Sequence, residues 1–277
     1  MHMLGKKPFT GLRPTTPRLR CSALTRTREA VVGPPPASAS WSAAVVALAK
    51  RWGMDLNDQY GCCVIAAVAH MLVCWSANAG RVVVPSDDDV YKLFKLMSPN
   101  LDGCVVQDVL DWLRQNTWCG MRLGNYAALD PASLPQLRDT VSLFVGGLVL
   151  GIEMPDAWVA GYEDLSKVPW TVPEGQPLTG RYASNPNNGH CVFVPHYELD
   201  AFWPVTWGEE KSLFLAALPY VTEAYVCESP AMLNPSGTTP SGLAQAALDA
   251  DMAVLPTLDE PEPQFDPDVP PPSPLQP

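Results

Sequence analysis

Leu56-Asn57-Asp58-Gln59-Tyr60-Gly61-Cys62-Cys63 runs straight into Val64-Ile65-Ala66-Ala67-Val68-Ala69-His70-Met71-Leu72-Val73-Cys74-Trp75, and this stretch decides the fold. Its first half is a loop rich in turn formers. Its second half is apolar almost all round over about three turns, which predicts a helix buried on every side. Cys62 or Cys63 then stands at the helix N-terminus. A thiol there feels the positive end of the helix dipole, which favours the reactive thiolate.

Working outward, residues 37–53 predict a short helix closing at Gly53. Downstream, Pro85-Ser86-Asp87-Asp88-Asp89 predicts a helix start, with a serine cap and acids in the first turn. VVQDVLDWLRQN has apolar residues at helical spacing (Val105, Val109, Leu110, Leu113), and Asp130-Pro131 opens PASLPQLRDTVSLF with proline at the first helical position. The period then changes. GGLVLGIEM, HCVFVPHYEL and FWPVTWG read as strands, EEKSLFLAALPYV as helical, and EAYVC as a final strand. Helices first and strands second imply an α+β fold with an antiparallel sheet.

With 277 residues, 47% of them hydrophobic, the chain has ample material for a core. Its longest apolar run, Leu143 to Ile152, is too short to span a bilayer. The opening MHMLGKKPFTGLRP has no apolar segment of a secretory leader, so the expected location is the cytoplasm of a host cell or a virion. Of 30 prolines, six lie in residues 1–36 and nine in 256–277, which divides the chain into an extended arm (1–36), a domain (37–255) and a proline-rich tail (256–277). Residues 1–28 carry +7 and the rest −18, of which −5 sits on the tail. So acidic a body argues against nucleic acid, except weakly through the arm. The terminal segments lack apolar periodicity and are expected to make few contacts with their own domain, seeking other protein subunits instead. The eight cysteines read as reduced thiols. Vicinal Cys62-Cys63 suits no zinc site, and no metal or cofactor is expected.

A cysteine nucleophile needs a histidine base and donors aimed at the oxyanion. Cys63 opens the buried helix, His190 opens a late strand, and Asn57 stands six residues before Cys63. That pattern resembles the papain-like cysteine peptidases, in which a glutamine precedes the nucleophile by six. Gly147-Leu148-Val149-Leu150-Gly151-Ile152, Gly189-His190-Cys191-Val192 and Thr206-Trp207-Gly208 follow in the family's order, over residues 50–230. More narrowly, Asn57, Asp58, Gly61, Cys63, Gly189, His190, Val192, Thr206, Trp207, Gly208, Glu223, Ala224 and Tyr225 match an uncharacterised bacterial and phage-encoded group of that fold. The resemblance implies two lobes, a helical one led by the Cys63 helix and a sheet lobe bearing His190. It also implies an oxyanion role for Asn57 and a shielding one for Trp207.

The family's orienting asparagine aligns with Val205, which has no polar atom to offer His190. A third group must then be the Thr206 hydroxyl, a backbone carbonyl, or Asn185, Asn187 or Asn188. His196 lies six strand residues from His190, roughly 20 Å away, and is no second base. His70 reads as structural. Cys62 is either a competing nucleophile or an incidental neighbour, and the spacing to Asn57 favours Cys63. Two functions follow. One is a papain-like thiol hydrolase acting on an amide or peptide substrate through a Cys63–His190 dyad. The other is a non-catalytic protein of the same fold, such as a phage virion component anchored by its arm and tail.

Overall fold

The computed structural model describes residues 12, 34–159, 168–244, 246 and 250. Its helices are α1 (Ser42–Leu48), α2 (Cys63–Asn78), α3 (Asp87–Met97), α4 (Val106–Gln115), α5 (Leu134–Leu143) and the single turn α6 (Asp156–Val159). All of Cys63 to Ala77 is buried. This total burial arises because α2 lies against two strands of the sheet and is also touched by α1, α3, α4 and the Pro230–Met232 turn. An all-apolar sequence is the one such a position requires. The start of α3 is fixed by a capping box: the Ser86 hydroxyl accepts from the Asp89 N–H, and the Asp89 carboxylate accepts from the Ser86 N–H. In α4, Val106, Val109, Leu110 and Leu113 face inward.

The strands are β1 (Ala39–Ser40), β2 (Asn125–Ala128), β3 (Leu148–Glu153), β4 (Gly189–Tyr197), β5 (Ala201–Thr206), β6 (Glu209–Glu210), β7 (Leu213–Phe214) and β8 (Val221–Glu228). They form one antiparallel sheet ordered β2-β8-β3-β4-β5-β6, with β1 on β4 and β7 on β5. The central strands β3 and β4 are buried on both faces, which explains their unbroken apolar runs. The result is the expected two-lobed α+β architecture: helices α2–α4 on one side and the sheet on the other, with α2 lying along β4. No helix among the described residues is long and apolar enough to cross a membrane.

Four local expectations are corrected. The helix expected over 37–53 ends at Leu48, because Lys50 turns left-handed (φ 73°), and it is preceded by β1. The fifth helix begins at Leu134, with Pro135 in its first turn, rather than at Pro131. β2 was not foreseen. The segment 209–221 is not a helix: Glu209–Glu210 and Leu213–Phe214 complete β5, and only Leu215–Tyr220 coils, as a 3-10 turn containing Pro219. The unpaired edge of β5 outweighs the local helical pattern there, and proline removes a helical donor.

The arm is described at Leu12 and from Pro34 onward, and the tail 256–277 lies outside the described residues. Leu12 makes contacts with the domain that its segment's sequence did not predict. It is buried in the core, bridges to Cys104 just before α4, and donates its N–H to the Gly189 carbonyl at 3.2 Å. A side chain at Gly189 would meet the Leu12 carbonyl at 2.8 Å, and one at Gly151 would meet its Cδ2 at 3.0 Å. Gly189 is therefore needed to admit the Leu12 backbone, while Gly151 leaves room for its side chain.

Candidate active site

Cys63 is the first residue of α2 and is fully buried, with Cys62 as the cap. The two thiols differ in use. Cys62 Sγ donates to the Asp55 carbonyl at 3.3 Å, and burial, followed by the neighbouring Cys63, pushes its thiol far above the ordinary range. Cys62 is thus held as a protonated structural donor, which leaves Cys63 as the thiol at the helix end. Cys63 opens the helix that lies along β4, the strand that bears His190.

His190 is buried on β4, opposite Ile152 of β3. Its Nε2 lies 2.7 Å from Thr206 Oγ1, while Nδ1 is buried with no hydrogen-bond partner among the described residues. The Trp207 indole stacks on the ring at 4.8 Å and 15°, and Trp170 meets it edge-on at 6.0 Å. Burial first, and the Lys211 cation second, hold the imidazole pKa down to about 3. The Lys211 ammonium sits 5.7 Å from the Trp170 ring and 5.8 Å from that of Trp207, a pair of cation–π contacts beneath the histidine.

Trp207 owes its place to a hairpin. Val205 pairs with Glu210 and Thr206 with Glu209, so Trp207-Gly208 is a two-residue connection in which both residues have positive φ (49° and 80°). Such a turn matches the twist of the flanking strands. It accepts the strain of a bulky left-handed residue and directs the indole over His190.

Of the candidates for a third group, Thr206 is the one on the ring. Asn185 and Asn188 are engaged elsewhere, both donating to Asp156 at 2.8 Å. Val205 is buried between Phe193 and Glu210. Asn57 is buried too, at the end of a turn in which its N–H reaches the Met54 carbonyl, and its Oδ1 has no partner among the described residues. His196 belongs to a separate pair with Glu210, at 3.4 Å. Lys211, Trp170 and Leu12 were missed from the sequence, since each reaches the site through pairing or packing and no spacing announces it.

No protein-family profile matches the chain, and no curated protein sequence does. Solved structures do. Xylellain, a cysteine protease from Xylella fastidiosa, superposes with a TM-score of 0.54 at 12% identity, covering 80% of this chain and 97% of its own. A structure from work on the mite allergens Blo t 1 and Der p 1 gives a TM-score of 0.47 at 12% identity, covering 72% of each chain. With the element order and lobes above, the chain has a papain-like two-lobed α+β fold.

Proposed function

We propose that the protein is a thiol hydrolase that cleaves an amide or peptide bond. Cys63 Sγ attacks the carbonyl carbon and its proton passes to His190 Nδ1. The tetrahedral oxyanion is met by the Asn57 amide. The C–N bond then breaks as His190 returns the proton to the leaving amine, and water, deprotonated by the same ring, hydrolyses the acyl-enzyme. The carrying observation is the His190 setting: a shielded ring with Thr206 on Nε2 and an Nδ1 unpartnered among the described residues, on the strand against the Cys63 helix. For Nδ1 to accept a proton, Nε2 must hold the ring hydrogen and donate it to Thr206 Oγ1.

Thr206→Val removes that acceptor and releases the other tautomer. It is expected to lower kcat by about ten- to a hundredfold with KM little changed, and Thr206→Ser to retain activity. Equal loss in the serine variant would show that the hydroxyl is not what orients the ring.

The Leu12 backbone runs from the helical lobe at Cys104 to Gly189, one residue from His190. Burying a leucine contributes about 1.5–3 kcal/mol, so removing residues 1–28, Leu12 among them, is expected to lower the melting temperature by several degrees. An unchanged melting temperature, followed by circular dichroism, would count against a structural role for Leu12.

The non-catalytic assembly reading keeps one support within the described residues, the apolar Val205 where the family places an amide. Its other supports, the basic arm and acidic tail, fall almost wholly outside them.

A further inference from the structure

His70 lies seven residues after Cys63, hence on the same face of α2 two turns on. It is buried, and its Nε2 lies 2.8 Å from the Gly53 carbonyl and 2.9 Å from Asp55 Oδ2. Both facing groups accept, so Nε2 carries the hydrogen and shares it between them. Trp52 packs edge-on against the ring at 5.9 Å. The chain so gripped is unusual: Asp55 and Leu56 are consecutive non-glycine residues with left-handed backbone (φ 51° and 58°). Each costs roughly 1–2 kcal/mol relative to ordinary backbone, and such a turn persists only where its surroundings enforce it. Two ties do so here, the His70 N–H of α2 on the Gly53 carbonyl and Asp55 carboxylate, and the thiol of its cap Cys62 on the Asp55 carbonyl. Gly53 is required because a β-carbon there would overlap the Asp55 carboxylate, 2.9 Å from its Cγ. The next residue is Asn57, buried, with its Oδ1 unpartnered among the described residues, so the course of this turn decides where its side chain begins.

We propose that His70 is a positioning residue: by clamping Gly53 and Asp55 to the helix that bears Cys63, it sets where the Asn57 amide stands relative to the Cys63 sulfur. This rests on the hydrolase reading above. It makes one helix the common frame for nucleophile and oxyanion donor.

Two small reagents test it without a known substrate. Iodoacetamide alkylates a thiolate with no oxyanion, whereas p-nitrophenyl acetate acylates it through a tetrahedral one. His70→Leu is expected to slow acylation of Cys63 at least about tenfold while alkylation stays within about twofold. His70→Gln, which keeps an N–H near the Nε2 position, should restore most of the acylation rate. Gly53→Ala, which drives Asp55 off the clamp by a different route, should reproduce the split if the leucine variant folds poorly. Asn57→Ala supplies the control. If it slows acylation and neither His70→Leu nor Gly53→Ala does, the clamp is refuted and the hydrolase reading stands. If alkylation and acylation fall together in both clamp variants, His70 merely supports α2 and the proposal is likewise overturned. If Cys63 of the parent takes neither reagent, the hydrolase reading itself falls and the proposal with it.

Discussion

Cys63→Ala is expected to abolish nitrophenolate release from p-nitrophenyl acetate and cleavage of a peptide pool, each by at least about a thousandfold. The sulfur is the attacking atom and nothing else in the site replaces it. Cys62 is buried, protonated and committed to the Asp55 carbonyl. Only one buried atom is lost, so the melting temperature should move by a few degrees at most, a cost of about 1 kcal/mol. Cys62→Ala should leave Cys63 open to iodoacetamide while loosening the Asp55 turn. A parent protein that cleaves nothing and resists thiol reagents, yet folds as described, would instead support the assembly reading. Activity that survives in Cys63→Ala would refute the proposed site outright.

The second large effect is on stability. His190 has an ordinary pKa of 6.5 when unfolded and about 3 when folded, held down by burial and then by Lys211. Between those values the unfolded chain binds a proton that the folded one refuses, so stability falls as pH drops from 6.5 toward 3 and is unaffected by this group above 6.5. The full window corresponds to roughly 3–5 kcal/mol, about 1.4 kcal/mol for each pH unit. His190→Gln removes the titration. Urea unfolding at pH 4.5 and 6.5 should therefore show a distinctly shallower loss for the variant than for the parent. Identical losses would mean that the folded ring titrates near its ordinary value, and that burial and the Lys211 cation do not hold it down.

The chain's own order of residues determined the α+β class, the wholly buried Cys63 helix, the strands around His190 and the capped start of α3. In each, the periodicity of a continuous segment matches what that segment must bury, so local reading and tertiary demand agree. The expectation that Thr206 could stand in for the missing amide was also legible, because it sits next to Val205 on a strand that had to pass the histidine. Other features depend on partners far away in sequence. The 209–221 segment reads as helix until the open edge of β5 claims it. Trp207 covers His190 only because the Thr206–Glu209 pairing forces a left-handed turn. Lys211 and Trp170 reach the ring through space, and Leu12 crosses to Gly189 from the far end of the chain. His70, read as structural, acquires a meaning once Gly53 and Asp55 are seen folded back upon it. Spacing specifies what one element presents to a core. Which elements meet, and therefore which buried ring is neutral and which turn is strained, is decided by close packing and desolvation, and these exist only after the lobes have come together.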